Sequence, residues 1–285
     1  MIVSFNPRAV YTIAKKEFLD NIRNRWIILL TLLLFILVLM FSYLAGGQTG
    51  DVGSFGNMQN TVIGLMSISS VLIPLIGIIL GFSTISGEAE SGALYIVLSY
   101  PVTRFEVLLG KLLGLGSVIV ISVLAGFGLG GILITVAVGG ESWLGYLGFM
   151  GLAIMLGCIF LSLSLCISAY CKRRVTSIGG GLLIFFWGMI VGSIFLGLLF
   201  GNGYDLTDIQ KGNIPDWYWY EPLLSPPDLN QFAVMKAFGL QNISVMGFEF
   251  SFPTFMSTGL VVVVHFMWFL IPLVLGYFFF KRRDI

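Results

Sequence analysis

Six long apolar runs separated by short polar segments set the pattern of this chain, at about 27–45, 61–81, 104–138, 143–170, 178–200 and 259–280. Each is long enough to cross a hydrocarbon core of about 30 Å as a helix. The pattern predicts an all-α, polytopic membrane protein with six transmembrane helices, residues 27–285 forming one transmembrane domain. Pro74 should kink the second run. The third run, about thirty-five residues, would be about 52 Å long, so its first turns should stand out of the bilayer. Gly46 to Asn60 reads as an outer loop and Gly139 to Ser142 as a tight outer turn.

Residues 1–26 precede the first run. Asn6 and Pro7 suit an N-cap and first helical position. Val10, Ile13, Ala14, Phe18, Ile22 and Trp26 then recur at helical spacing, while Lys15, Lys16, Asp20, Arg23 and Arg25 take the other face. This predicts an N-terminal amphipathic interfacial helix. A solvated extension of the first span is the plainer alternative.

The polar stretch between the second and third runs, 82–103, has structure of its own. Ala89, Ala93, Ile96 and Val97 repeat on one helical face, which predicts a short amphipathic surface helix from Glu88 to Ser99. Pro101 keeps Tyr100 out of helix, and Thr103 with Glu106 forms a capping box that starts the third span. A surface helix, a proline break and a capped helix make an elbow.

The same residues carry a resemblance. Glu88, Gly92, Leu94, Leu98, Pro101, Val102, Arg104, Gly110 and Lys111 resemble the E-x-x-x-G-T-L…L-x-x-P-V-x-R…G-K pattern of ABC-2 type transporter permeases, with Ala93 in place of the usual Thr. The layout is similar to the permease of the nitrous-oxide-reductase maturation (copper-processing) ABC system. The resemblance implies that 82–103 is a cytoplasmic coupling helix docking on a separate ABC ATP-binding subunit, which would bind ATP and Mg; no cofactor is expected in this chain. Glu88, Glu90, Gly92, Leu94, Pro101, Arg104 and Glu106 would be its ATPase-coupling residues. It also implies that the N-terminal helix packs beside the coupling helix, and that the permease works as a homodimer.

Composition narrows the class. With 57% hydrophobic and 10% charged residues, a soluble globular domain is excluded. The net charge of +1 identifies no partner, and nothing points to nucleic acid. Placement of charge says more: thirteen of the fifteen Lys and Arg lie in the N-terminal segment, the elbow, the Cys171 turn and the C-terminus, leaving Lys211 and Lys236 opposite. By the positive-inside rule both termini are expected in the cytoplasm of a plasma-membrane protein. Eight of the fourteen acids fall outside, in weak agreement. No cleavable signal peptide is expected, because twenty-six residues with five basic side chains precede the first run. Cys158, Cys166 and Cys171 cluster in or beside one run, which argues against a disulfide framework.

The external segment 201–257 between the fifth and sixth runs is predicted to be helical in part. Ser225, Pro226, Pro227 and Asp228 supply a start and Gly239 a stop, with Leu229, Phe232, Ala233 and Phe238 facing lipid or bundle. Trp217 to Tyr220 suits an interfacial aromatic belt or a recognition surface for an extracytoplasmic partner. Asn242-Ile243-Ser244 is a glycosylation sequon, relevant only in a glycosylating host.

Chemistry is sparse. There is no G-x-x-x-x-G-K-[ST] phosphate loop, no G-x-S-x-G, and one histidine forbids H-E-x-x-H, so the chain reads as a non-catalytic membrane subunit. Every Asp, Glu, Lys and Arg can be placed outside the membrane-embedded parts of the apolar runs, those of the third run in its protruding first turns; His265 alone lies at membrane depth. A proton or metal ligand is one reading of His265, a neutral ring bonded to a neighbouring helix the other. Met150, Met155, Cys158, Met189 and Met267 invite a soft-metal site or serve as gap-filling core. Gly110/Gly114, Gly126/Gly130, Gly188/Gly192 and Gly197/Gly201 let helices approach closely, within one bundle or between two copies. Two functions fit: a permease moving substrate on a partner's ATP hydrolysis, or a non-transporting relay to an extracytoplasmic partner. An intramembrane enzyme lacks its nucleophile, base and metal sets.

Overall fold

The computed structural model describes residues 5–48, 58–138, 143–205, 207–208, 214–239, 242–245, 248–251 and 253–283. The Gly46–Asn60 loop falls largely, and the Gly139–Ser142 turn wholly, outside them. Pro7–Ile22 forms α1, its N-cap Asn6 accepting from the Arg8 amide with Pro7 in the first turn. Arg25–Gln48 is α2, Met58–Gly81 α3, Arg104–Val123 α6, Leu129–Val138 α7, Trp143–Tyr170 α8, Arg174–Gly201 α9 and Thr258–Arg282 α12. Ser86–Glu90 (α4) and Ala93–Ser99 (α5) fill the elbow; Glu221–Leu224 (α10) and Pro226–Ala237 (α11) lie between α9 and α12. Among the described residues six helices, with α6 and α7 counted as one, are long and apolar enough to cross a membrane.

A long helix with no polar stripe must be covered by other helices or by lipid. Here α8 is the central post: it packs on α3, α6, α11 and α12, and Tyr146, Phe149, Leu156, Ile159 and Leu161 expose no surface. By contrast α9 buries little and presents Leu183, Met189 and Ile194 outward. Phe105, at the start of α6, lies against both Phe5 and Tyr277, so the first and last described segments meet at one end of the bundle.

The third span is interrupted where a single helix was expected. Leu124–Gly128 is a π-helical turn between α6 and α7. Four glycines between Gly126 and Gly131 weaken helix propensity there, and the buried Tyr146 hydroxyl donates to the Phe127 carbonyl at 2.7 Å. The N-terminal helix stops at Ile22, so Trp26 belongs to α2, where it is exposed, and not to the apolar face of α1. In the external segment Ser225 takes the N-cap place, but its hydroxyl donates to Asp228 and not to the backbone. Leu229, Phe232 and Ala233 are buried as expected, Trp217 to Tyr220 curl into a 3₁₀ turn, and Trp217 and Tyr218 pack on Phe195. Asn242–Val245 and Phe248–Ser251 form a two-stranded antiparallel pair that was not anticipated; it encloses the sequon position. His265 uses its own helix: Nδ1 lies 2.8 Å from the Val261 carbonyl, not on a neighbouring helix.

Three glycine pairs serve packing within the chain. A Cβ on Gly110 would meet Ile13 at 2.8 Å, one on Gly114 would collide with the Ala14 carbonyl, and Gly126 and Gly130 admit Leu34 and Val38 of α2. Gly188 and Gly192 face Ser225 and Glu221, whereas a Cβ on Gly197 or Gly201 would meet none of the described neighbours within 4 Å. Gly114→Leu should therefore cost about 1–3 kcal/mol and release α1, seen as faster trypsin cleavage at Lys15. Gly116→Leu, which has open space, should leave cleavage unchanged.

Glu221 is buried beside Asp228 outside the spans. Burial, then the Asp228 charge and hydrogen bond, push its carboxyl up to about 8. The folded state thus holds a proton that the unfolded chain releases above its ordinary 4.5, so Glu221 lowers stability progressively from about pH 5 to about pH 8. Glu221→Gln, which keeps the shape and cannot ionise, should flatten the fall in melting temperature over that window. An unchanged slope would remove Glu221 as its cause.

Candidate functional site

The terminus-bearing end of the bundle gathers the polar chemistry. After α3, the chain turns into α4, whose first amides, of Ile85 and Ser86, each donate to the Ser168 hydroxyl of α8 at 3.0 Å. The single surface helix expected from Glu88 to Ser99 is instead two. Gly92 adopts φ +78°, a left-handed conformation that ends α4 and turns α5. The turn re-aims the apolar face: Leu94 is fully buried, while Tyr95, Ile96 and Tyr100 are exposed by 56%, 66% and 65%. Tyr100 is extended ahead of the exposed Pro101, and the Thr103–Glu106 capping box forms as predicted.

Beneath this elbow sits a buried ion cluster. Lys111 of α6 has 2% of its side chain exposed; its Nζ lies 2.9 Å from Glu17 of α1 and 2.8 Å from Glu88 of α4. Lys16 adds longer contacts to both carboxylates, 3.3 Å and 3.6 Å. Burial would raise the Glu17 pKa, but the Lys111 charge and hydrogen bond outweigh it and hold the carboxyl below its ordinary range. One ammonium thereby joins three elements that are far apart in sequence. Glu88, Glu17, Asn21, Asn24 and Arg174 border a cleft of about 560 Å³ beside it.

The other sequence-nominated residues are structural ties. Glu90 accepts from the Arg174 amide at 2.8 Å and so caps the start of α9. Arg104 donates to the carbonyls of Phe280, Lys281 and Arg283 at 2.6–2.8 Å, closing the end of α12. Glu106 has no exposed surface and also accepts from the Asn6 amide, linking the starts of α1 and α6. Arg283 performs the same service for α8, donating to the carbonyls of Ser168, Ala169 and Cys171. Of the seven nominated residues, Glu90 and Pro101 are exposed, and the outward surface includes them with Tyr95, Ile96 and Tyr100. Sequence reasoning passed over Glu17, Ser168 and Arg283. Glu17 had a signal: it falls one heptad after Val10, inside the apolar stripe of α1, where an acid needs a partner.

This arrangement, six spans with a polar elbow after the second, coincides with a match to the ABC-2 family transporter protein description over residues 11–285. The chain is an ABC-2 family permease. The probable ABC transporter permease protein NosY of Pseudomonas aeruginosa is 33% identical over 235 residues, 80% of this chain and 82% of that protein. The protein of the same name from Stutzerimonas stutzeri is 28% identical over 284 residues, 96% of this chain and 98% of that one. This ABC-2 permease is therefore a multi-pass membrane subunit, of a family in which ATP is bound by a separate subunit. Such a permease is generally non-catalytic.

Proposed function

We propose that this permease couples ATP hydrolysis by a partner ABC subunit, which holds ATP and Mg, to translocation of a substrate across the plasma membrane, with both termini cytoplasmic. The observation that carries the reading is the elbow: an exposed Tyr95–Ile96–Tyr100 surface on a segment tied to α6 and α1 through Lys111, to α8 through Ser168 and to α9 through Glu90. A push on that surface is delivered to four helices at once. Six spans make half of a pathway; the open Gly197–Gly201 stripe on the little-buried α9 suits a second copy.

One observation supports relay to an extracytoplasmic partner as a second reading. Within segment 201–257, α10 rests directly on the bundle, Trp187 and Trp268 donating to the carbonyls of Leu224 and Leu223, so helix motions would reach that surface. Reconstitution of the permease with its ATP-binding subunit in vesicles separates the two. ATP-dependent flux or lipid flipping supports transport; ATPase activity responding to an extracytoplasmic protein with no flux supports relay. A permease that recruits no ATP-binding subunit overturns both.

A further inference from the structure

At the end of the bundle remote from the termini, α8, α11 and α12 leave a cavity of about 400 Å³ walled by Leu152, Met155, Val261 and Phe266. Val262 and Phe266 are half exposed on the outward side of α12, so the cavity opens laterally on the face that this span turns toward lipid. Its rim carries a cation. The Lys236 ammonium donates to the Met256 carbonyl and stands 5.3 Å above the Phe232 ring. Among the described residues no carboxylate pairs with it, which leaves a half-buried charge with donors to spare. The start of α12, capped by Ser257, adds the positive end of a helix dipole at the same rim.

We propose that this pocket binds an anionic phospholipid of the adjoining leaflet, with its phosphate on Lys236 and an acyl chain lying along the wall. Charge complementarity selects the head, and the mostly apolar, laterally open cavity selects the chain. The inference does not depend on the elbow or on an ATP-binding partner. His265, the one histidine, forms part of the wall and reports on occupancy.

The test uses the full-length permease in mild detergent with two probes of identical chains, phosphatidylglycerol and phosphatidylcholine. Native mass spectrometry should show about tenfold preferential retention of phosphatidylglycerol. Lys236→Gln, whose amide can still donate to Met256, should abolish the preference without lowering the melting temperature. In ¹⁵N-histidine spectra, phosphatidylglycerol should shift the single imidazole signal in the wild type and leave it in place in Leu152→Trp, which fills the cavity. Equal retention of the two lipids, a preference that survives Lys236→Gln, or an imidazole signal unmoved by phosphatidylglycerol would each overturn the proposal.

Discussion

Lys111→Met is expected to destabilise the permease by about 3–5 kcal/mol, the largest effect of any single change at the elbow. Methionine fills nearly the same volume, so the loss is not a cavity. It leaves Glu17 and Glu88, both turned toward one buried point, with only the longer contacts of the exposed Lys16. Two carboxylates without their shared cation repel each other and recover only part of their hydration, Glu17 being buried and Glu88 exposed by 21%. Thermal unfolding in detergent measures the loss. The triple variant Glu17→Gln, Glu88→Gln, Lys111→Met removes all three charges and should regain most of it, as apolar or neutral replacements of buried ion clusters commonly do. Glu17, held below its ordinary pKa, stabilises the fold above the unfolded value near 4.5, and that contribution fades as pH drops through the lower folded value. A Lys111→Met protein melting with the wild type would remove the cluster as a structural element.

Ile96→Asp with Tyr95→Ser should break association with an ATP-binding subunit while leaving the permease folded. Both side chains are more than half exposed, so the folded permease loses little by their replacement. At an interface the same groups would be anchors; losing one costs about 2 kcal/mol or more, roughly thirtyfold in affinity. Co-purification of the two subunits from co-expressing cells, with the melting temperature of the permease beside it, gives the answer. The contrast is with Leu94→Ala and Arg104→Ala, inside the fold: these should lower the melting temperature by disturbing the core and the α12 end cap. Full co-purification by the Tyr95/Ile96 variant would move the docking surface elsewhere.

The placement of the nominated residues shows how far motif reasoning reaches. Glu88 and Arg104 stand in the linear pattern, and Glu90 and Glu106 are nominated beside them as ATPase-coupling residues. Each now has an internal polar partner: Lys111, the Arg174 amide, the α12 carbonyls and the Asn6 amide. A charged residue in a motif is as well explained by a helix end that must be capped as by an interface. Tyr95, Ile96 and Tyr100, which no charge pattern singled out, are exposed beside Glu90 and Pro101.

What the sequence by itself determined was whatever depends on near neighbours along the chain. The apolar runs, the Asn6–Pro7 start of α1 and the Thr103–Glu106 capping box are all set within a few residues, and α8 begins and ends on Trp143 and Tyr170 as read from hydropathy alone. The tertiary structure alone decided the break at Gly92, the π turn at Leu124–Gly128 and which glycines face which helix. It also decided that Lys111 would meet Glu17, 94 positions away, within hydrogen-bonding distance. Propensity and transfer free energy act locally and can be summed along the chain. The partner of a buried charge is set by how helices pack in space, and nothing in the residues flanking Lys111 encodes that.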